Sequence, residues 1–229
     1  VLITGHTGFK GSWLSSWLLK LGAKVYGLSL DDQTEPSHFN LLNFGKEVEH
    51  SKGDVRDQAF LENYIEETNP EFIFHLAANA IVRDCYENPI DAFMTNSFGS
   101  LNVLHSLKRA EALKAVVMIT SDKCYENVEW EYGYKEDDQL GGKDPYSASK
   151  ACAELIFSSF FRSYFGKAGF HISTARAGNV IGGGDWAKDR IVPDCIRSWA
   201  EKKSVEIRSP LATRPWQHVL EPLSGYLWL

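Results

Sequence analysis

Three glycines at three-residue spacing constrain the fold of this chain more than any other feature. Residues 1–4 (VLIT) have the pattern of a short buried strand, and Gly5, Gly8 and Gly11 come directly after it. An apolar-rich helix follows and is closed by Gly22. Glycines between a strand and a helix let the backbone turn tightly and approach a pyrophosphate at the helix N-terminus. This order of elements therefore predicts the start of a dinucleotide-binding fold.

The second predicted strand, residues 23–30, delivers Asp31 and Asp32 to its carboxyl end. A carboxylate at that position can accept hydrogen bonds from the adenosine ribose and would repel a 2′-phosphate. No arginine follows this strand closely in the sequence, so the pattern favours NAD over NADP. Two alternatives stay open: both aspartates only start a solvated loop, or Ser29 makes the ribose contact instead.

The next predicted strands also end in residues that suit a bound dinucleotide. Asp54 follows the third strand and is placed to contact the adenine. The fourth strand, residues 72–76, runs into Ala77 and Ala78, whose small side chains let a cofactor pass close to the backbone. We interpret His75 in this strand as a core or supporting histidine rather than a catalytic one.

The apolar run at residues 115–119 predicts a buried strand that ends in a cluster of reactive groups. Ser121, Asp122 and Lys123 bring a hydroxyl, a carboxylate and an amine to that strand end. Groups of these kinds carry out general acid–base catalysis. A structural ion pair between Asp122 and Lys123 is the alternative interpretation, and the sequence leaves it open.

Tyr146 and Lys150 lie one turn apart on one face of a helix predicted for residues 146–165. A free tyrosine has a pKa near ~10 and is a poor base at neutral pH. We expect the ammonium of Lys150 to lower the pKa of Tyr146 and so let it accept a proton. A tyrosine and a lysine at this spacing arise easily by chance. The pair therefore indicates an active site only together with the glycine loop and the cluster at residues 121–123.

Predicted strands alternate with predicted helices as far as residue 175. The helices lie near residues 58–68, 89–111 and 146–165. This alternation predicts an α/β fold with a doubly wound parallel sheet of the Rossmann type. We therefore assign residues 1–175 to an NAD-binding domain.

The pattern changes after residue 175. A glycine-rich loop, a helix near residues 190–202 and a short strand at residues 205–207 are predicted there. We assign residues 176–229 to the start of a smaller, incomplete substrate-binding segment laid over the carboxyl ends of the strands. The chain begins inside its first strand without a methionine and ends in an uncapped apolar pattern, so we expect pieces to be missing at both ends.

Composition excludes several classes of function. The formal net charge of −6 gives no indication of nucleic-acid or membrane binding. No apolar run approaches the ~20 residues of a membrane-spanning helix. The cysteines lie far apart without metal-ligand spacing, which predicts no metal site and suits the reducing cytoplasm. They are Cys85, Cys124, Cys152 and Cys195.

These motifs resemble the extended short-chain dehydrogenase/reductase family, whose members modify nucleotide sugars. The glycine loop, the set of Ser121, Tyr146 and Lys150, and residues 176–179 carry the resemblance. Within the family, nearly the whole chain looks like the nucleotide-sugar 4,6-dehydratases, through residues 5–14, 120–125, 144–150, 176–186 and 213–222. Relatives acting on dTDP-glucose carry Asp-Glu where this chain has Asp122 and Lys123. The Asp-Lys pair is typical of the branch acting on CDP-sugars.

The resemblance implies that CDP-glucose is converted to its 4-keto-6-deoxy product with loss of water. Tyr146 would take the proton of the 4-hydroxyl, with Ser121 hydrogen-bonded to that hydroxyl, while a hydride passes from carbon 4 to NAD and later returns to carbon 6. Lys123, if neutral, would remove the proton on carbon 5. Asp122, if protonated, would give a proton to the departing 6-hydroxyl, and Lys150 would also hold the nicotinamide ribose.

The resemblance also implies binding residues and partners. Expected substrate ligands are Asn179, Arg190 and Arg214, and a homodimer is expected through the helices near residues 89–111 and 146–165. An epimerase, a 4-ketoreductase and a non-catalytic NAD-binding protein stay open as alternatives. The expected cofactor ligands are Gly5, Thr7, Gly8, Phe9, Lys10, Gly11, Asp31, Asp54, Val55, Leu76, Ala77, Ala78, Asn96, Tyr146 and Lys150.

Overall fold

A computed structural model describes residues 1–31 and 34–229 of the chain. Parallel strands form the central sheet in the spatial order β3-β2-β1-β4-β5-β6. The strands are β1 (Leu2–Thr4), β2 (Val25–Ser29), β3 (Val48–Lys52), β4 (Phe72–His75), β5 (Ala115–Ile119) and β6 (His171–Ala175). The predicted doubly wound parallel sheet is therefore confirmed.

Helices flank this sheet and connect its strands. They are α1 (Phe9–Lys20), α2 (His38–Leu42), α3 (Gln58–Thr68), α4 (Val82–Glu87), α5 (Pro89–Phe93), α6 (Gly99–Ser106), α7 (Pro145–Phe160), α8 (Ile191–Ala200) and α9 (Leu220–Trp228). A π-helical segment joins α5 to α6, so the helix predicted near residues 89–111 is one continuous rod with a local bulge. A second π-helical segment extends α7 to Phe165.

Local sequence explains where the main helices begin. The Asp144 carboxylate accepts a hydrogen bond from the backbone N–H of Ser147 and caps α7, whose first residue is Pro145. Asp57 caps α3 in the same way, through the N–H of Phe60. These caps satisfy N–H groups that have no partner inside the helix.

The core lies on both faces of the sheet because adjacent strand residues point in opposite directions. Leu2 and Ile3 are fully buried neighbours on β1 but belong to different apolar clusters. Val116 and Val117 on β5 divide in the same way. Burial on both faces is the expected state of parallel strands connected by helices.

The sheet has a topological switch point between β1 and β4. The chain runs outward from β1 through β2 to β3 and then returns to β4 on the other side of β1. Connections on the two sides of this point leave the sheet in opposite directions and open a crevice at the carboxyl ends of the strands. The glycine loop after β1 and the alanines after β4 both lie at this crevice.

The last part of the chain differs from the prediction. Residues 205–207, within the described range, form no strand, because Ile207 is exposed and no neighbouring strand pairs with the segment. A small sheet instead pairs β7 (Asn179–Ile181), predicted as loop, with β8 (Trp216–His218). The helix predicted near residues 190–202 is confirmed as α8. Buried residues of α9 join the cluster that contains Ile3.

Candidate active site

The glycine loop turns tightly against the end of β4. Gly5 has a φ of +74°, and a Cβ there would lie 2.7 Å from the backbone nitrogen of Ala77. A Cβ on Gly11 would lie 2.2 Å from the Gly5 carbonyl oxygen, so α1 and the loop can approach only without side chains. Gly8 is the N-cap of α1, which has neither a side-chain cap nor an acidic residue in its first turn. The backbone N–H groups in the first turn of α1 and the positive end of the helix dipole suit an anionic ligand.

Side chains next to the glycine loop are tied to other elements. The hydroxyls of Thr7 and Ser29 are 2.8 Å apart, which joins the loop to the end of β2. Phe9 packs against the buried cluster that contains Ile3. Ser29 was the alternative ribose contact, and the structure places it beside the glycine loop rather than in solvent.

Lys10 points into the candidate active site. Its Nζ donates a hydrogen bond to the Tyr226 hydroxyl at 3.2 Å. Burial and, to a smaller extent, the charge of Arg190 lower the pKa of Lys10 to about 8, with Asp122 opposing the shift. Lys10, expected only as a cofactor ligand, therefore also contributes positive charge to the space shared with Asp122.

Asp31 lies at the carboxyl end of β2 as predicted, whereas Asp32 falls outside the described residues. The Asp31 carboxylate accepts a hydrogen bond from Lys52 at 2.6 Å, and both side chains are exposed. Sequence analysis considered only arginine, and it missed this lysine because β3 brings it alongside β2. Lys52 offsets part of the negative charge that would repel a 2′-phosphate.

Asp54 follows β3 and is engaged by a neighbouring arginine. Arg56 donates from its Nε to the Asp54 carboxylate at 2.8 Å and also pairs with Asp91. Burial alone would raise the pKa of Asp54, but hydrogen bonds from Arg56 outweigh it and lower that pKa. Val55 is buried in the core, and its side chain would lie 2.7 Å from a Cβ on Gly99. Its expected cofactor contact is thus left to its backbone.

Leu76, Ala77 and Ala78 follow β4 and remain partly exposed at the crevice. Asn96 lies behind them and is buried. Its side-chain Oδ1 accepts a hydrogen bond from the backbone N–H of Asn79 at 2.8 Å, and its side-chain Nδ2 donates to the Ser149 hydroxyl at 2.9 Å. Asn96 thus holds the segment after β4 against α7.

His75 is a supporting histidine, as predicted. It is buried, with its Nδ1 2.7 Å from the Thr4 hydroxyl and its Nε2 3.1 Å from the Ser100 hydroxyl. Burial is the largest cause that lowers its pKa, to about 3. The ring is therefore neutral at physiological pH and links β4 to β1 and α6.

Ser121, Asp122 and Lys123 lie together where β5 ends. Asp122–Cys124 forms a 3₁₀ turn, in which the Ser121 hydroxyl accepts from the N–H of Lys123 and donates to the Asp122 carboxylate at 3.1 Å. The turn brings both side chains to the same region, which an extended strand would not do. Burial raises the pKa of Asp122, against the charges of Lys123 and Arg214. Asp122 and Lys123 form no ion pair in the described residues, so the structural alternative is wrong.

Tyr146 and Lys150 occupy the first turns of α7, facing the end of β5. Lys150 is buried, and its Nζ donates to the Ile119 carbonyl at 3.2 Å. Burial and, to a smaller extent, the charge of Lys10 lower the pKa of Lys150 to about 7, with Glu154 opposing the shift. The expected lowering of the Tyr146 pKa is wrong here: burial raises it, although Ser121 and Arg190 oppose the shift. Desolvation of the phenolate outweighs these favourable interactions.

The expected substrate ligands lie on one side of the same space. Asn179 begins β7 directly after Gly178, where a Cβ would lie 3.4 Å from an Asp122 carboxylate oxygen. Arg190 is held by the Asp185 carboxylate at 3.0 Å. Arg214 donates to the backbone oxygen of Thr213 and places enough charge near Asp122 to influence its pKa. The charges of Arg190 and Arg214 therefore act on Tyr146 and Asp122, whereas Asn179 is placed only through its neighbour Gly178.

Sequence analysis missed three residues that contact or support the site. Tyr226 lies on α9 and accepts the hydrogen bond from Lys10. Glu154 and Arg176 form a largely buried ion pair at 2.8 Å behind the β5 turn. In the sequence, only the position of Glu154 one helical turn after Lys150 indicated that it lies near the site. No sequence pattern indicated that Tyr226 lies near the site, because its partner Lys10 is distant in the sequence.

Two negative findings concern the described residues only. Among them, no helix is both long and apolar enough to cross a membrane. Within the same ranges, no cluster of histidine, cysteine or acidic side chains could hold a metal ion.

A parallel sheet with a glycine loop at its switch point and a Ser-Tyr-Lys set beside it defines a Rossmann-fold protein of the short-chain dehydrogenase/reductase type. The chain belongs to the family described as GDP-mannose 4,6 dehydratase, which it matches over residues 2–227. This membership confirms the predicted resemblance to the nucleotide-sugar dehydratases.

Known proteins resemble the chain over nearly all of its length. It is 52% identical over 232 residues to a CDP-glucose 4,6-dehydratase of Salmonella typhimurium, an alignment that covers 99% of this chain and 65% of that protein. A UDP-glucose 4-epimerase of Thermus thermophilus, solved in complex with NAD, superposes with a TM-score of 0.83 at 26% identity, covering 99% of this chain and 73% of that one. The dTDP-glucose 4,6-dehydratase DesIV of Streptomyces venezuelae superposes with a TM-score of 0.84 at 22% identity. The superposition covers 98% of this chain and 69% of DesIV, and it shows the shared fold.

Proposed function

We propose that this protein is an NAD-dependent nucleotide-sugar 4,6-dehydratase that converts CDP-glucose to CDP-4-keto-6-deoxyglucose. The observation that carries the proposal is the convergence of Ser121, Asp122, Lys123, Tyr146 and Lys150 in one crevice. The relative that is 52% identical is a CDP-glucose 4,6-dehydratase. The chain spans 65% of that relative's length, so the activity is proposed for the whole protein.

The residues of the crevice fit a bound NAD. The glycine loop leads into α1, which has no side-chain cap among the described residues, so the first N–H groups of this helix suit a pyrophosphate. Asp31 lies at the end of β2 for the ribose, and Leu76, Ala77 and Ala78 leave the end of β4 open. When bound in its oxidised form, NAD would accept a hydride from carbon 4, add positive charge to the site and later return the hydride to carbon 6. Lys150 would hold the nicotinamide ribose.

Tyr146 and Ser121 would act on the 4-hydroxyl of the sugar. Ser121 would hydrogen-bond that hydroxyl, and Tyr146 would take its proton as the 4-ketone forms. Because burial raises the pKa of Tyr146, the phenolate depends on nearby positive charge. Arg190 supplies part of that charge in the protein itself.

Asp122 and Lys123 would carry out the elimination. The 4-ketone acidifies the proton on carbon 5, which the Lys123 side chain would remove and would give back to carbon 5 when the hydride reaches carbon 6. Asp122, whose pKa is raised by burial, would be protonated and give its proton to the departing 6-hydroxyl. The 3₁₀ turn that carries both residues supports this assignment, since it would let both side chains reach one sugar.

The cation-rich side of the crevice would bind the diphosphate. Arg190 and Arg214 carry guanidinium groups, which match phosphate geometry, and Asn179 adds an amide. The segment that contributes all three, residues 176–229, is proposed as the start of the substrate-binding region. An epimerase would need these ligands too, but it would not need an acid at the position of Asp122 to expel water.

We also propose that the protein forms a homodimer in the cytoplasm. Ile90, Met94 and Phe98 recur at four-residue spacing on the α5–α6 rod and are exposed. Leu155 is exposed on α7, which packs against the same rod, and Phe161 is exposed on the π-helical extension of α7. An exposed apolar surface of this kind is typical of a subunit interface. The free cysteines accord with a reducing compartment.

Incubating the whole protein with NAD and CDP-glucose tests the proposal. We expect a product lighter than the substrate by one water, with a carbonyl at carbon 4. An epimerase would give a product of unchanged mass. CDP-glucose recovered unchanged, alongside a positive control reaction, would contradict both activities.

A further inference from the structure

Glu154 is a buried acidic residue on the catalytic face of α7. Tyr146, Lys150 and Glu154 follow one another at four-residue intervals, so the three side chains line the same side of the helix. Glu154 is 4% exposed. Neither the acid–base steps nor the binding of phosphate groups uses it.

The Glu154 carboxylate joins α7 to the ends of two strands. One oxygen accepts a hydrogen bond from the Thr120 hydroxyl, at the end of β5. The other accepts from the Thr174 hydroxyl at 3.1 Å and from Arg176 at 2.8 Å, both at the end of β6. A single side chain thus sets the distance between the helix and both strand ends.

Arg176 continues this connection to the far side of the catalytic turn. Its guanidinium lies 4.9 Å from the centroid of the Tyr125 ring. Its other terminal nitrogen donates to the backbone oxygen of Glu136 at 3.0 Å. Glu154 therefore holds Thr120, directly before Ser121, and its partner Arg176 contacts Tyr125, directly after the turn.

A buried ion pair is weak evidence of stabilisation, because apolar residues of similar volume often serve as well. The position of this pair points to a different role. Both ends of segment 121–124 are held to the helix that carries Tyr146 and Lys150, so the two halves of the catalytic set share one anchor. Catalytic steps that depend on contact geometry are sensitive to displacements of about 1 Å.

We propose that Glu154 and Arg176 are positioning residues that hold the Ser121–Asp122–Lys123 turn against Tyr146 and Lys150. This inference rests on the proposed dehydratase function for its kinetic part. It predicts that loss of the Glu154 charge displaces the turn without removing any group that contacts the sugar.

Glu154→Gln tests the proposal because it keeps the size of the side chain and removes its charge. We expect kcat to fall by about 10²-fold with little change in the KM for CDP-glucose, since the phosphate ligands are untouched. Backbone hydrogen exchange should accelerate in the peptide that contains residues 120–126 and stay unchanged in the strands β1 and β2. Glu154→Asp, which keeps the charge, should recover part of the rate.

Glu62→Gln is the matched control. Glu62 pairs with Arg109 at 3.1 Å between α3 and the end of the α5–α6 rod, away from the catalytic turn. This variant should leave kcat and the exchange of peptide 120–126 unchanged. If Glu154→Gln fails to fold, the double variant Glu154→Gln/Arg176→Gln removes both charges and should fold with the same slow kcat.

Two results would overturn the proposal. One is a Glu154→Gln or double variant with the wild-type kcat, and the other is exchange at residues 120–126 that does not change. If the unmodified protein does not dehydrate CDP-glucose, the proposed function fails, while the exchange comparison still decides whether the pair holds the turn.

Discussion

The Nζ of Lys123 lies 6.0 Å from the centroid of the Tyr146 ring. Lys123 comes from the 3₁₀ turn after β5, and Tyr146 comes from the first turn of α7. The two elements therefore present an amine and a phenol to the same small space. A sugar in that space can meet one group at carbon 5 and the other at the 4-hydroxyl, which motivates separate tests of the two steps.

Lys123→Met should block elimination but not oxidation. Methionine keeps an aliphatic stem and removes the nitrogen that would take the proton on carbon 5. Quenched reactions analysed by mass spectrometry should still contain the 4-keto sugar, and exchange of the carbon 5 proton with solvent deuterium should slow by about 10²–10⁴-fold. The exposed Lys143 provides a control substitution. Near-normal exchange in Lys123→Met would show that the base lies elsewhere.

Tyr146→Phe should abolish formation of the 4-ketone and leave NAD binding nearly intact. Only the ionisable oxygen is lost, and general-base contributions are typically about 10²–10⁴-fold in rate. Tyr132→Phe, which removes a hydroxyl from a ring that is 79% exposed, should have the wild-type rate. An unchanged rate in Tyr146→Phe would rule out Tyr146 as the base.

NAD should bind more tightly than NADP, because Asp31 follows β2, where its carboxylate would meet the adenosine ribose and repel a 2′-phosphate. Lys52 pairs with Asp31 and weakens this discrimination. Titration of both cofactors should therefore give a preference for NAD that increases in Lys52→Met and decreases in Asp31→Asn. Tighter binding of NADP to the unmodified protein would contradict the assignment.

Lys150→Met should stabilise the protein, and more strongly at pH 7 than at pH 9. Burial lowers the pKa of Lys150 to about 7, whereas the unfolded chain keeps the proton up to pH ~10.4. The unfolded state binds more protons between these values, so the wild-type free energy of unfolding rises with pH there. The difference between variant and wild type should be larger by about 2 kcal/mol at pH 7. Denaturant unfolding at both pH values measures it, and a difference independent of pH would refute the shift.

Ile90→Asp should convert the proposed homodimer to a monomer. Ile90 is 80% exposed on the α5–α6 rod, where a carboxylate would have to be desolvated in an apolar interface. Leu211→Asp is the control, since Leu211 is 95% exposed in the loop that precedes β8. Light scattering at micromolar concentration should report a dimer for the wild type and the control. A monomeric wild type would refute the dimer.

The sequence predicted the sheet, and it predicted the side chains that the structure brings together after β5 and at the start of α7, because those signals are local. A strand, a glycine loop and a helix follow one another within the first residues, and Tyr146 and Lys150 are separated by one helical turn. The strand predicted at residues 205–207 failed for a related reason. Its apolar pattern favours an extended chain, but a strand also needs a neighbour, and none pairs with it in the described part of the chain.

By itself, the sequence determined which reactive groups stand at the strand ends and that a dinucleotide-binding crevice lies among them. Only the tertiary structure decided their electrostatics and their supports. Burial reversed the expected pKa shift of Tyr146, and distant elements supplied Lys52 to Asp31 and Tyr226 to Lys10. Backbone patterns depend on residues a few positions apart, whereas desolvation and ion pairing depend on segments that become neighbours only when the chain has folded.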